Sequence, residues 1–126
     1  MRKQILLAVC VSVLLAAPQS LKAQYLSVAP DVPLAAGLRE LPDAVLVFDK
    51  PQGRIVQITT RADAQFSPAA IHQFYRTSLP NLGWREELGK TSGNGLTFTR
   101  KSEILRLTFS ADLVIFDLAP QAPSRP

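Results

Sequence analysis

The stretch that decides the fold is Ser67–Trp84, which reads SPAAIHQFYRTSLPNLGW. Ser67 is a residue type that caps helices, and Pro68 suits the first helical position because the N–H that it lacks would be unpaired there. Apolar side chains then recur at helical spacing along one side of the segment, namely Ile71, Phe74, Tyr75, Leu79 and Leu82. The pattern predicts one amphipathic helix from Pro68 to Leu82, which Gly83 ends.

On both sides of this helix the apolar residues recur with the period of two that is typical of strands. Six strands are predicted: Ala44–Phe48, Ile55–Thr60, Trp84–Leu88, Leu96–Arg100, Leu105–Phe109 and Leu113–Leu118. Alternation favours an antiparallel sheet with one covered and one solvated face, and a single amphipathic helix covers only one face. We therefore predict a two-layer α+β domain of order ββαββββ, with the helix packed on one face of the sheet. A sheet closed around the helix is the alternative.

The N-terminus has the three regions of a secretory signal. Met1-Arg2-Lys3 is basic, residues 5–17 are an uncharged apolar run, and residues 18–24 are polar and helix-breaking and include small residues that a signal peptidase can use. Thirteen helical residues rise only about 20 Å, whereas a bilayer core is about 30 Å thick. The sequence thus predicts a cleavable signal peptide over residues 1–23, and hence a periplasmic protein.

Cleavage changes what the composition implies. The full chain has 14 basic and 10 acidic residues and a net charge of +4. Without Arg2, Lys3 and Lys22, 11 basic residues remain and the net charge falls to about +1, which gives little reason to expect a nucleic-acid partner. The only cysteine, Cys10, is also removed, so disulfides and thiolate chemistry are excluded from the mature chain.

The length of 126 residues allows one domain. Residues 24–43 contain Pro30, Pro33 and Pro42 and are interpreted as an extended leader. The folded domain is predicted over residues 44–118. A disordered, Pro-rich tail is predicted over residues 119–126.

The residues that carry chemistry are few. His72 is the only histidine and falls on the outward side of the predicted helix, while Ser67 is better explained as a cap. One histidine without cysteine does not build a typical zinc site, and the carboxylates are scattered along the chain. Glu86 and Glu87 are neighbours in a strand and point to opposite faces. We predict no catalytic residue, no metal site and no cofactor.

The polar face of the sheet is the candidate binding surface. Its predicted members are Arg54, Thr97, Thr99, Lys101, Arg106 and Thr108. One interpretation is an ordinary solvated face. The other is a shallow surface for a protein, a glycan or an anionic headgroup, and the lack of aromatic residues between the basic ones argues against single-stranded nucleic acid.

The segment Phe74–Trp84 contains the pattern FY, three residues, LP, two residues, GW. It resembles a motif of small exported bacterial domains of unknown function, in which a helix ends in Gly-Trp and a meander of strands follows. The chain is also loosely similar to the helix-on-sheet domains of outer-membrane assembly lipoproteins, but it lacks their lipid-bearing cysteine. The resemblance implies a fold and no activity.

Three functions follow as hypotheses. The first is a non-catalytic accessory or binding module of the bacterial cell envelope, with an envelope protein or polymer as its partner. The second is a small hydrolase that uses carboxylates, and the third is a peripheral module that binds anionic lipid through Arg54, Lys101 and Arg106. The edge of a small open sheet also allows a homodimer.

Overall fold

The computed structural model describes residues 24–89 and 93–122, and confirms an α+β fold with antiparallel strands and one helix in this part of the chain. The elements are β1 (Gln24–Leu26), β2 (Ala29–Leu34), β3 (Leu38–Lys50), β4 (Gly53–Ala62), α1 (Pro68–Asn81), β5 (Arg85–Glu86), β6 (Leu96–Arg100), β7 (Glu103–Ser110) and β8 (Leu113–Pro120). The predicted signal peptide lies outside the described residues.

The main sheet has six strands in the order β3-β4-β8-β7-β6-β5. All of its neighbouring strands are antiparallel. From β3 onwards the element order is the predicted ββαββββ. The first hairpin, β1-β2, forms a separate two-stranded sheet.

The predicted leader is part of the folded unit, which corrects the expectation that the domain begins at Ala44. Residues 24–43 form β1, β2 and the start of β3, and they bury Leu26, Val32 and Leu38 in the core. Prolines are compatible with this arrangement because a strand at the edge of a two-stranded sheet leaves backbone positions that need no N–H. The apolar residues between the prolines therefore decide that residues 24–43 fold as part of the domain.

Helix α1 packs on the sheet through Ile71, Tyr75 and Leu79, which are buried at intervals of four residues. Ser67 caps it by accepting a hydrogen bond from the Ala70 N–H at 3.2 Å, as predicted. The contact stripe is narrower than expected, because Phe74 and Leu82 remain 36% and 39% exposed.

Tyr75 joins the helix to the N-terminal hairpin. Its ring is fully buried, its hydroxyl donates to the Pro33 carbonyl at 2.9 Å, and it accepts from the Ala35 N–H at 3.1 Å. Helix and hairpin thus cover one face of the main sheet together. We call this the covered face, and the opposite side the open face.

The C-terminal strand runs further than expected. Ala119 and Pro120, which were assigned to the disordered tail, complete β8 and pair with Ile104 and Glu103. Pro120 is tolerated because it is the last residue of the strand. The rest of the tail prediction falls mainly on residues 123–126, which are not described.

Candidate functional site

Four of the six predicted binding residues lie on the open face. The buried side chains Leu105, Leu107 and Phe109 of β7 point to the covered face, so Arg106 and Thr108 point away from them. On β6, Thr97 pairs with Arg106 and Thr99 pairs with Ile104, which places both threonines on the same open side. Arg106 and Thr108 are exposed, whereas Thr97 is buried.

Arg54 and Lys101 do not join this surface, which corrects the predicted site. Arg54 comes two residues before the buried Val56, a spacing that puts both side chains on the covered face. Lys101 lies in the turn between β6 and β7, with a φ of +53°. The predicted residues therefore occupy three separate parts of the fold.

Arg54 belongs instead to a charge network that ties β2 to the sheet. Its guanidinium donates to Asp31 at 2.7 Å and to Glu103 at 2.9 Å. Arg100 also donates to Asp31 and lies 4.3 Å above the Trp84 ring. Two arginines thus meet two carboxylates, so the charges of the network balance without an external anion, although Asp31 Oδ1 is buried without a hydrogen-bond partner.

The network shifts the pKa values of its members. Burial alone would raise the pKa of Asp31, but the hydrogen bonds from Arg54 and Arg100 outweigh it and hold the pKa below its usual range. Hydrogen bonds to Glu103 and Asp31 raise the pKa of Arg54. Both shifts favour the charged forms, so the network stays intact at neutral pH.

We expect Asp31→Asn to lower the free energy of unfolding by about 1 kcal/mol at neutral pH, since the network is partly exposed to solvent. Because the folded pKa of Asp31 is depressed, its contribution is complete above the unfolded value of about 4 and disappears as pH falls through the folded pKa. The difference between variant and parent should therefore shrink in acid. Urea unfolding at a series of pH values measures this, with the exposed Asp43→Asn as the control. If the difference in free energy of unfolding between variant and parent stayed constant as the pH falls, the lowered pKa of Asp31 would be contradicted.

The open face also carries an apolar row that sequence analysis missed. Phe48 pairs with Ile55, and Ile104 pairs with Ala119. The Val56–Leu118 register, continued by one residue, brings Ile55 beside Ala119 and joins the two pairs. Phe48, Ile55, Ala119 and Ile104 form this row across β3, β4, β8 and β7.

The β3 end of the row is well exposed to solvent. Phe48 is 55% exposed and Leu46, two residues before it on the same face, is 51% exposed. Contiguous apolar patches on a protein surface commonly mark interaction sites. The signal in the sequence was the unbroken apolar run Ala44–Phe48, because a run without alternation places apolar side chains on both faces of a strand.

A polar row runs beside the apolar one. Leu46 pairs with Gln57, Gln57 with Asp117, and Asp117 with Arg106. The Gln57 amide donates to the Asp117 carboxylate at 2.8 Å, while the exposed Arg106 lies at the other side of Asp117. The open face thus offers apolar contact and hydrogen-bonding groups next to one another.

His72 is a packing residue rather than the exposed one that was expected. It is half-buried, and its ring packs on Phe109 with 4.0 Å between the ring centroids and an angle of 48° between the ring planes. Burial, followed by the charge of Arg76, lowers the pKa of His72. Ser67 is occupied as the helix cap, so the two residues do not form a nucleophile and base.

Two cavities lie at the N-terminal end of α1. One of about 220 Å³ is bordered by Phe66, Phe109, Asp63 and Asp112, and a neighbouring one of about 180 Å³ is lined by apolar side chains. Asp63 and Asp112 are both exposed, and Asp112 pairs with Arg61 at 3.2 Å. Within residues 24–89 and 93–122, no group of three metal-ligating side chains converges.

Comparison with protein families, with characterised proteins and with solved structures finds no significant match to this chain. The resemblance carried by the helix–strand motif therefore stays a prediction. In the described part of the chain, no helix has the length and apolar character needed to cross a bilayer.

Proposed function

We propose that this protein is a non-catalytic, exported binding module of the bacterial cell envelope, which holds a protein partner against the open face of its sheet. The observation that carries the proposal is the apolar row that begins at the exposed Phe48 and continues through the half-buried Ile55 and Ala119 to the buried Ile104. This row lies beside Gln57, Asp117 and Arg106. Removing such a row from water favours association, and the adjacent polar groups give the contact its orientation.

A protein partner fits this surface better than anionic lipid. Lipid docking was expected to use Arg54, Lys101 and Arg106 together, but Arg54 is engaged with Asp31 and Glu103 on the covered face. Arg106 is the member of that trio on the open face, and the Asp117 carboxylate is its cross-strand neighbour. The open face therefore has little net positive charge to offer a phosphate.

The hydrolase hypothesis finds less support than the binding module. A carboxyl group that acts as a general acid at neutral pH needs a raised pKa, which burial usually supplies. Asp63 and Asp112 border the cavity of about 220 Å³ but are exposed, and Asp31 is held ionised by two arginines. The export half of the proposal rests on residues 1–23 and their resemblance to a signal peptide.

Photo-cross-linking in the native host tests the proposal. A photoreactive amino acid at Thr108 on the open face is expected to give a discrete adduct in the envelope fraction, whereas one at the exposed Gln73 of α1 is not. Ile55→Lys should reduce the Thr108 adduct tenfold or more, because a lysine in the apolar row loses contact and costs desolvation. Leu82→Lys, which places the same charge on the helix side, is the matched control.

The adduct also reports the compartment and the kind of partner. Its N-terminus should lie near Gln24, and a cytosolic adduct that retains Met1 would contradict export. Equal adducts from Thr108 and Gln73, or an Ile55→Lys variant that still cross-links fully, would overturn the binding face. A polymer in the adduct instead of a protein would overturn the choice of partner.

A further inference from the structure

The outer edge of β3 is the most apolar exposed strand edge in the described part of the chain. Leu46, Val47 and Phe48 are consecutive and are 51%, 45% and 55% exposed. In this part of the chain β3 pairs only with β4, so its other side is a free edge. Proteins usually blunt such an edge with charges, prolines or bulges, since unpaired backbone groups attract another strand.

The features of β3 that hinder pairing lie at the two ends of this edge and leave its middle accessible. The pairing register shifts between Glu40 and Val45, which marks a bulge that contains Pro42. At the other end, Pro51 begins the turn that leads into β4. A short regular segment, residues 43–50, lies between the bulge and the turn.

The register of the β3-β4 hairpin fixes which backbone groups face outward. Lys50 and Gly53 close a two-residue turn, so the N–H and C=O groups of Lys50, Phe48 and Leu46 point toward β4. The backbone groups of Val45, Val47 and Asp49 therefore point away from the sheet. These are the groups that a further strand would bond.

The segment is complementary to a second copy of itself. With a two-fold axis at Val47, Leu46 lies opposite the partner's Phe48 on the open face, and Val45 lies opposite the partner's Asp49. The outward groups of Val45, Val47 and Asp49 then form about six main-chain hydrogen bonds between the two strands. On the open face, the exposed side chains of Leu46 and Phe48 from both copies, four in all, pack against one another across the axis.

The neighbouring registers are worse. An axis at Leu46 sets Asp43 against the partner's Asp49, and like charges directly opposite are destabilising. An axis at Phe48 sets Leu46 against the partner's Lys50, and sets Val45 against the partner's Pro51, which has no N–H to donate. A shift of the pairing register by one residue would place side chains of the open face of one copy opposite side chains of the covered face of the other.

We propose that this protein forms a symmetric homodimer in which the two β3 strands pair antiparallel about Val47 and join the two main sheets into one. The far edge of the sheet explains why the assembly stops at two copies. That edge is β5, which is two residues long and consists of Arg85 and Glu86, so it offers little backbone for further pairing. A two-fold contact also uses the same edge on both copies and closes on itself.

The dimer shares Phe48 with the proposed partner site but does not depend on that site. Its contacts lie at the rim of β3, while Arg106, Ile104 and Thr108 remain on the open face of both copies. Either proposal can fail without the other. Pairing would extend the apolar row across both copies, since Leu46 and the partner's Phe48 become neighbours.

The register is tested by disulfide trapping in the full chain as the host produces it, with Cys10 replaced by Ser. Val47→Cys is expected to give a covalent dimer on mild oxidation, because cross-strand Cα atoms at a hydrogen-bonded pair are about 5.5 Å apart, within disulfide reach. Leu46→Cys, equally exposed but opposite the partner's Phe48, should form it at least tenfold more slowly. Equal rates at both positions would overturn the register.

The dimer itself is tested by sedimentation velocity over a concentration series. The parent chain should sediment as a dimer that dissociates on dilution, and Val47→Lys should raise the dissociation constant tenfold or more. Tyr25→Lys, at an equally exposed residue of β1, should leave it unchanged. A parent chain that is monomeric throughout, or that pairs only with an added extended peptide, would overturn the homodimer.

Discussion

Tyr75→Ala is expected to lower the free energy of unfolding by about 3–5 kcal/mol, the usual loss when a large buried aromatic side chain is truncated. Tyr75 is fully buried and its ring meets Phe116 edge-on at 5.5 Å. The truncation also leaves the Pro33 carbonyl and the Ala35 N–H without their partner. A small domain is stable by only about 5–15 kcal/mol, so this one substitution removes a large part of the total.

Tyr75→Phe separates the hydroxyl from the ring. It keeps the packing of the ring but leaves two buried backbone groups without a hydrogen-bond partner. This is expected to lower the free energy of unfolding by about 1–3 kcal/mol. Urea unfolding followed by tryptophan fluorescence measures both variants, because Trp84 is buried near the end of the same helix. Phe74→Ala, at the neighbouring but 36% exposed position, is the control and should cost clearly less than Tyr75→Ala. Equal losses at the two positions would show that the hairpin does not depend on Tyr75.

Gly37→Ala is expected to lower the free energy of unfolding by about 2–5 kcal/mol, the sum of backbone strain and overpacking. Gly37 has a φ of +87° in the turn between β2 and β3. A Cβ atom built there would lie 2.1 Å from the ring of Phe66, too close without a shift of the ring. The Gly37 carbonyl also accepts from the Asp63 N–H at 2.8 Å, so the turn has little room to move.

Gly83→Ala is the matched control for Gly37→Ala. Its φ is +89°, but the nearest atom to an added Cβ is the flexible Arg100 side chain at 3.5 Å. Backbone strain alone should cost about 1–2 kcal/mol there. Thermal unfolding of both variants, repeated for Gly37→Ala in a Phe66→Ala background, isolates the clash as a coupling energy. If Gly37→Ala costs no more than Gly83→Ala, the close approach of Phe66 has no energetic weight.

The helix and the strand order followed from local patterns. Ser67-Pro68 and the spacing of Ile71, Tyr75 and Leu79 depend on cap chemistry and on the helical period, which act within one segment of the chain. Strand alternation likewise placed Arg106 and Thr108 on the face opposite Leu107. Such features are legible in a sequence because neighbouring residues alone determine them.

The candidate site was predictable only in part, because a binding surface is assembled from strands that are distant in the chain. The alternation of side chains along each strand placed Thr97, Thr99, Arg106 and Thr108 on one face of the sheet. It did not reveal that Phe48, Ile55, Ala119 and Ile104 would align across four strands, since this requires the register of three separate strand pairs. The error over Arg54 has a different origin, since its spacing of two residues from the buried Val56 within one strand places it on the covered face.

By itself, the sequence determined one capped helix, a meander of strands around it and the scarcity of catalytic groups, because these are set by period, capping and composition. Only the tertiary structure decided that residues 24–43 belong to the core, where Tyr75 and the Asp31 network hold them. It also decided that β3 ends the sheet with an apolar edge. Both are outcomes of long-range pairing, in which segments far apart in the chain compete for the same buried face and the same strand edge.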